Sequence, residues 1–152
     1  MTVVLDGVDA VKERIGEELG VSDWHEVAQA DVDRFADVTG DHQWIHVDPE
    51  RARDTPWGGT IAHGYFTLSL TPWLAETVYA FEGFALGLNY GLDRVRYPAP
   101  MPVGKRVRMR ALLKGVDDVD GGIQVALTHT FECEGGAKPV CVADALVRLY
   151  PA

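Results

Sequence analysis

A chain of 152 residues is long enough for one folded unit with a sizeable core. With 47% hydrophobic and 24% charged residues it has ordinary globular proportions, which argues against extended disorder away from the ends. Fourteen basic against twenty-three acidic side chains leave a net charge of −9, which disfavours non-specific binding to nucleic acid or an anionic membrane surface.

Met1 to Leu19 carries Asp6, Asp9, Glu13, Glu17 and Glu18, where an export signal needs a basic start and an apolar run. No stretch reaches the roughly 18 apolar residues of a membrane span, so a cytoplasmic protein is expected. Val8, Val11, Ile15 and Leu19 fall at helical spacing, predicting a helix with Asp9 as N-cap and Gly20 as its stop. Trp24 to Val27 reads as a short strand. A second helix follows from Asp31, with Val32, Phe35, Ala36 and Val38 facing inward and Gly40 ending it. Asp48-Pro49 opens a third helix, as N-cap and first helical residue, running to about Asp54.

Ile61 to Phe81 is the most apolar stretch, and its apolar positions do not keep to one stripe, so a helix here is buried on most sides. Pro72 should kink it. Four strands are predicted beyond it: Phe84 to Tyr97, Arg106 to Val116, Ile123 to Cys133 and Val140 to Tyr150. Pro98-Ala99-Pro100, Asp120-Gly121-Gly122 and Gly135-Gly136 mark the turns between them. The expectation is one α+β domain over residues 1–152, a central helix wrapped by an antiparallel sheet. Cys133 and Cys141 lack metal-type spacing and read as two reduced thiols.

Chemistry concentrates in Phe35 to Pro49, where Asp41 and His46 lie five residues apart in an irregular connection. A carboxylate and an imidazole converging on one water can orient it and take its proton, and an imidazole pKa of about 6.5 suits a base near neutrality. The spacing alone fits equally an Asx-turn at Asp41 and a His46 bonded to backbone. A metal site from Asp41, His42, His46 and Asp48 would need all four to converge from a loop, and no metal is expected.

The run Thr39-Gly40-Asp41-His42-Gln43-Trp44-Ile45-His46-Val47-Asp48-Pro49 resembles the hydratase motif of the MaoC-like dehydratase family, with Gln43-Trp44 where the family usually carries Asn-Pro. Gly58-Gly59-Thr60-Ile61-Ala62-His63-Gly64 and Asn89-Tyr90-Gly91-Leu92-Asp93-Arg94-Val95-Arg96-Tyr97-Pro98 resemble the branch with nodulation protein N and the (R)-specific enoyl-CoA hydratases. The resemblance implies a single hot-dog fold, a long helix wrapped by a curved antiparallel sheet. It implies (R)-specific hydration of trans-2-enoyl thioesters, of coenzyme A or acyl carrier protein, with no metal or redox cofactor. It matches Asp41 and His46 to the catalytic pair, Gly64 to the glycine whose N–H binds the thioester carbonyl, and Ser69 to a supporting serine. It also implies a homodimer, which an uncovered sheet edge favours on physical grounds.

Other residues keep two readings. His63 beside Gly64 suits a structural bond to loop backbone; His42 faces solvent or supports the motif; His25 and His129 have no constellation around them. Tyr65, Phe66, Leu68, Trp73 and Leu74 read as core, some of them lining an acyl tunnel. Asn89 suits strand pairing or ligand contact. Arg94 and Arg96, with Lys105, Arg106, Arg108 and Arg110, could hold coenzyme A phosphates or form a solvated sheet face. Rival functions are a thioesterase and a non-catalytic acyl-thioester-binding partner subunit.

Overall fold

The computed structural model describes residues 1–152. The chain opens with β1 (Val3–Asp6), α1 (Gly7–Glu13), β2 (Glu18–Val21) and β3 (His25–Glu26). Helices α2 (Gln29–Thr39), α3 (Trp44–Val47), α4 (Pro49–Ala52), α5 (Gly64–Ser69) and α6 (Thr71–Ala75) follow. Short β4 (Tyr79–Glu82) leads into β5 (Phe84–Arg96), β6 (Arg106–Val119), β7 (Gly122–Cys133) and β8 (Cys141–Pro151).

The four long strands stand where alternation and turn residues predict them, and their pattern survives as burial. Every second residue of β7 is buried, from Ile123 through Val125, Leu127, His129 and Phe131 to Cys133. Val107, Met109, Ala111 and Leu113 do the same on β6. The sheet order is β2-β6-β7-β8-β5, antiparallel throughout, with β3 also on β6. Strand β5 precedes β6 in sequence but pairs with β8, so the proline-rich segment from Tyr97 to Lys105 carries the chain across the sheet.

Against the inner face pack α5 and α6, in one cluster with Val27, Val32, Met109 and Phe131. A second cluster, of Leu5, Val11, Leu19, Leu113 and Leu127 among others, closes the far end. Each fully buried side chain of this size contributes about 1.5–3 kcal/mol by leaving water. This is the α+β hot-dog arrangement that the sequence predicts.

Three local expectations change. The first helix stops at Glu13, because Gly16 turns the chain at φ +87° and donates its N–H to Leu113 O, letting Glu18–Val21 pair with β6. The apolar central stretch is not one long helix. Pro72 has no N–H to continue the ladder, Thr71 Oγ1 donates to Leu68 O instead, and the helix restarts as α6. Beyond it, Tyr79–Glu82 is extended and pairs in parallel with β1. On α2, Val32 and Ala36 are fully buried as expected, whereas Val38 is exposed.

Candidate active site

Helix α2 ends at Gly40, whose φ of 79° only glycine adopts cheaply, and the reversal delivers Asp41 to the start of an irregular loop. Asp41 Oδ1 accepts the N–H of Gln43, the Asx-turn contact. One turn of helix, α3, then swings the His46 side chain inward until only 6% of the residue is exposed. Gln29 holds this turn: its Nε2 donates to His46 O at 2.7 Å, while its Oε1 accepts Thr60 Oγ1–H at 2.6 Å. Sequence reasoning missed Gln29, since nothing local marks a residue whose partners lie 17 and 31 positions away.

His46 Nδ1 lies 2.7 Å from Ile61 O. A carbonyl only accepts, so Nδ1 carries the proton and Nε2 is left with a bare lone pair. That Nε2 stands 4.0 Å from Asp41 Oδ2, too far for a direct bond and suited to one oxygen atom between them. Burial lowers the His46 pKa below 6.5; the Ile61 bond and Asp41 oppose this, and neighbouring His63 adds to it. The backbone contact and the Asx-turn that a purely structural reading predicts are therefore both present. They orient the two groups and leave their reactive atoms free.

His63, 3% exposed, stacks on His46 with ring centroids 3.9 Å apart. Its Nε2–H donates to Asp41 O at 2.9 Å, the loop-backbone role expected of it. His46, Gly64, Thr67, Tyr97, Met101 and Val140 are among the residues lining a cavity of about 280 Å³. At Gly64, the first residue of α5, a Cβ would sit 2.8 Å from the Tyr97 ring, so any side chain there would have to push that exposed ring aside. The N–H groups of this first helical turn have no partner within the helix.

Ser69 and Asn89 line a different cavity of about 500 Å³, with Leu68, Phe81, Leu92 and His129 among its walls. Ser69 Oγ donates to Tyr65 O. Tyr65 and Trp73 are exposed, Phe66 and Leu74 are core, and Leu68 is a cavity wall. Arg106, Arg108 and Arg110 pair with Glu134, Glu132 and Glu18 across the outer sheet face, which makes them a solvated ion-pair ladder. Arg94 and Arg96 are exposed on β5, the latter donating to Val95 O. His42 pairs with Asp37 at the surface, and His25 packs at a tilt against Trp73.

By ligand type, Asp41, His46 and His63 could hold a cation, their donor atoms lying within 4.8 Å of one another. The two rings are nearly parallel, with 27° between planes. An ion shared between stacked rings would sit outside both planes, away from the in-plane lone pairs that bind metals. The arrangement suits a polarised water or hydroxyl better.

The profile described as "MaoC like domain" matches residues 10–133. The chain is 54% identical over 134 residues to 3-hydroxyacyl-thioester dehydratase Z of Mycobacterium tuberculosis, covering 88% of this chain and 89% of that one. It is 41% identical over 151 residues to nodulation protein N of Rhizobium meliloti, covering 93% and 91%. In fold it is similar to R-hydratase PhaJ1 from Pseudomonas aeruginosa, with a TM-score of 0.72 at 21% identity over 91% of this chain and 83% of the other.

Proposed function

Because this chain belongs to the MaoC-like dehydratase family, we propose that it is a hydro-lyase interconverting (R)-3-hydroxyacyl thioesters and trans-2-enoyl thioesters plus water. The observation that carries this reading is the bare Nε2 of His46, held by its Nδ1–H bond to Ile61 O beside Gly64 and 4.0 Å from Asp41. The relative at 54% identity bears the name of a 3-hydroxyacyl-thioester dehydratase, which supports the substrate class.

In the hydration direction a water sits between His46 and Asp41. His46 Nε2 takes one of its protons as the oxygen bonds to C3, while the Asp41 carboxylate accepts a hydrogen bond from the O–H that stays on the oxygen and fixes the lone pair's aim. The C2–C3 π electrons move toward the thioester oxygen. Free N–H groups at Gly64 and the start of α5 meet the charge there, an interaction worth about 10²–10³ in rate. His46, now protonated, returns the proton to C2, the thioester carbonyl re-forms, and the site is reset. Dehydration is the same path reversed.

Leu68, Ala75, Leu92 and Val147 make the larger cavity the place for an apolar acyl chain, with Ser69 and Asn89 at its edge. The unpaired Arg94 is the better candidate for a coenzyme A phosphate than the ladder arginines. Exposed Leu86, Leu88, Tyr90 and Leu92 on edge strand β5 support a homodimer formed through that strand. No helix is long and apolar enough to cross a membrane, and the two free buried cysteines fit a reducing cytoplasm. We take residues 1–152 as one domain, both apolar clusters being built on the same sheet.

The test follows enoyl absorbance with crotonyl-coenzyme A and longer homologues, and separately with acyl carrier protein thioesters. Turnover that collapses in Asp41→Asn and His46→Ala is expected. Release of free thiol instead would make the protein a thioesterase, and binding without turnover would make it a non-catalytic acyl-thioester-binding partner subunit.

A further inference from the structure

Packing alone does not account for an imidazole at position 63. The residue is buried, and its Nδ1 has no hydrogen-bond partner. Phe35, itself packed edge-on against Phe66, lies 5.0 Å from the ring. In such a setting a phenylalanine would fill a similar volume without burying an unmet polar atom. What histidine adds is an N–H and a ring face that act on two different neighbours.

The N–H is on Nε2 and donates to Asp41 O at 2.9 Å. Asp41 has few other ties: its N–H meets Thr39 Oγ1 at a long 3.4 Å, and its Oδ1 accepts the Gln43 N–H. With the carbonyl held by His63 and Oδ1 by Gln43, Oδ2 is left for another partner, 4.0 Å from His46 Nε2. The ring face lies against His46, with centroids 3.9 Å apart. His46 has one ring bond, Nδ1–H to Ile61 O, about which an imidazole can still pivot. A flat neighbour blocks that pivot and leaves Nε2, in the ring plane, uncovered. His63 is in turn fixed to α5, since its carbonyl accepts the Thr67 N–H.

We propose that His63 is a positioning residue for the reaction at His46: its N–H sets where Asp41 stands, and its ring face sets how His46 is turned. Its place before Gly64 ties both to the start of α5. The inference rests on the hydro-lyase reading above. His63 is not a wall of the His46 cavity and acts only through its neighbours. Two positively charged rings this close repel, so His63 also works against protonation of His46. The other charged or titratable groups facing the pair are Asp41 on the loop, Asp33 of α2 behind Gln29, and Tyr97 across the cavity.

The experiment separates the ring from the N–H. His63→Phe keeps a ring face and removes the donor; His63→Gln keeps a donor of similar reach and removes the ring. With crotonyl-coenzyme A, kcat, KM and the acidic limb of kcat/KM are measured, and calorimetry gives Kd for the unreactive butyryl thioester. His63→Phe should lower kcat about tenfold, as loss of one buried hydrogen bond would, with the butyryl Kd within about twofold of the parent's. His63→Gln should recover about threefold of that loss. In both, the acidic limb should move to higher pH, because a neutral side chain lets His46 accept its proton more readily; lost packing alone would not do this. Unchanged kcat in a folded His63→Phe, equal losses in the two variants, or an unmoved limb in both would each overturn the proposal. If His63→Phe does not fold, His63→Gln decides: a raised limb supports the proposal and an unmoved one overturns it. No turnover by the parent would remove the hydro-lyase reading. The pairing of the two rings is then decided by nitrogen NMR titration of His46, which should still move upward in His63→Gln and whose constancy would overturn it.

Discussion

Two buried histidine centres are made from different materials. His46 and His63 stand on loops and short turns, with backbone carbonyls of Ile61 and Asp41 on one nitrogen each and a half-exposed carboxylate beside them. His129 stands in the middle of the sheet among apolar walls, with one phenol for company and no acid nearby. Burial lowers the pKa of His46 and His129 alike, but at His46 the Ile61 bond and Asp41 pull it back up. Burial alone makes an imidazole inert. An anchored Nδ1 and a neighbouring carboxylate work against that effect and leave Nε2 aimed at a proton donor.

The largest expected effect sharpens this contrast directly. Removing the base in His46→Ala should lower kcat by about 10²–10⁴, with Asp41→Asn in the same range, in an enoyl-absorbance assay. Retained turnover in both would place the chemistry elsewhere. Next in size is an acid effect at the sheet centre. His129 has its folded pKa depressed from 6.5 to about 4, so the unfolded chain binds the extra proton between those values. Its contribution to stability is complete above pH 6.5 and declines by about 3 kcal/mol as pH falls to 4. Urea melts across that window should show this slope in the parent and lose it in His129→Phe. An equal slope in both would remove the distinction between the centres.

Gly64→Ala should cost about 1–3 kcal/mol in unfolding free energy, because the new methyl meets the Tyr97 ring at 2.8 Å. Tyr97→Ala in the same chain should recover most of that loss; no recovery would mean that backbone freedom, not the ring, selects glycine here. The acidic limb of kcat/KM should lie below pH 6.5, since the base form of His46 persists as pH falls toward its lowered pKa. A limb above 6.5 would mean that Asp41 outweighs burial. Smallest of all, Gln29→Ala should cost about 1 kcal/mol of stability, and a comparable factor in kcat, by loosening the loop centre. The sheet centre has no such tether to cut.

Much of the fold was readable because its signals are local. Glycine and proline at 98–104, 121–122 and 135–139 bound four alternating strands, and the strands lie there. The pairing of β5 with β8 was not readable, since it joins segments about 60 positions apart and depends on which face the Tyr97 to Lys105 segment crosses. β2 and β4 were missed because four residues hold too little periodicity to compete with a longer helical pattern beside them. At the candidate site, residue types and order pointed to Asp41 and His46, and the family resemblance added Gly64. The proton on His46 Nδ1 depends on Ile61, and no spacing rule carries that. His129 could have been found: extending the Ile123, Val125, Leu127 alternation by one step puts it inward, where a histidine needs a reason.

Strand β8 has a consequence for where this chain may be cut. The family match ends at Cys133, before β8 begins, yet β8 lies between β7 and β5 and is the only neighbour β5 has. A fragment trimmed to the matched span would keep every residue of the Asp41–His46 loop and still lose its wall. β5 would be stranded, taking Asn89, Leu92 and the mouth of the larger cavity with it. Similarity boundaries and mechanical boundaries part company here, and the outermost segment in sequence is a central beam of the sheet.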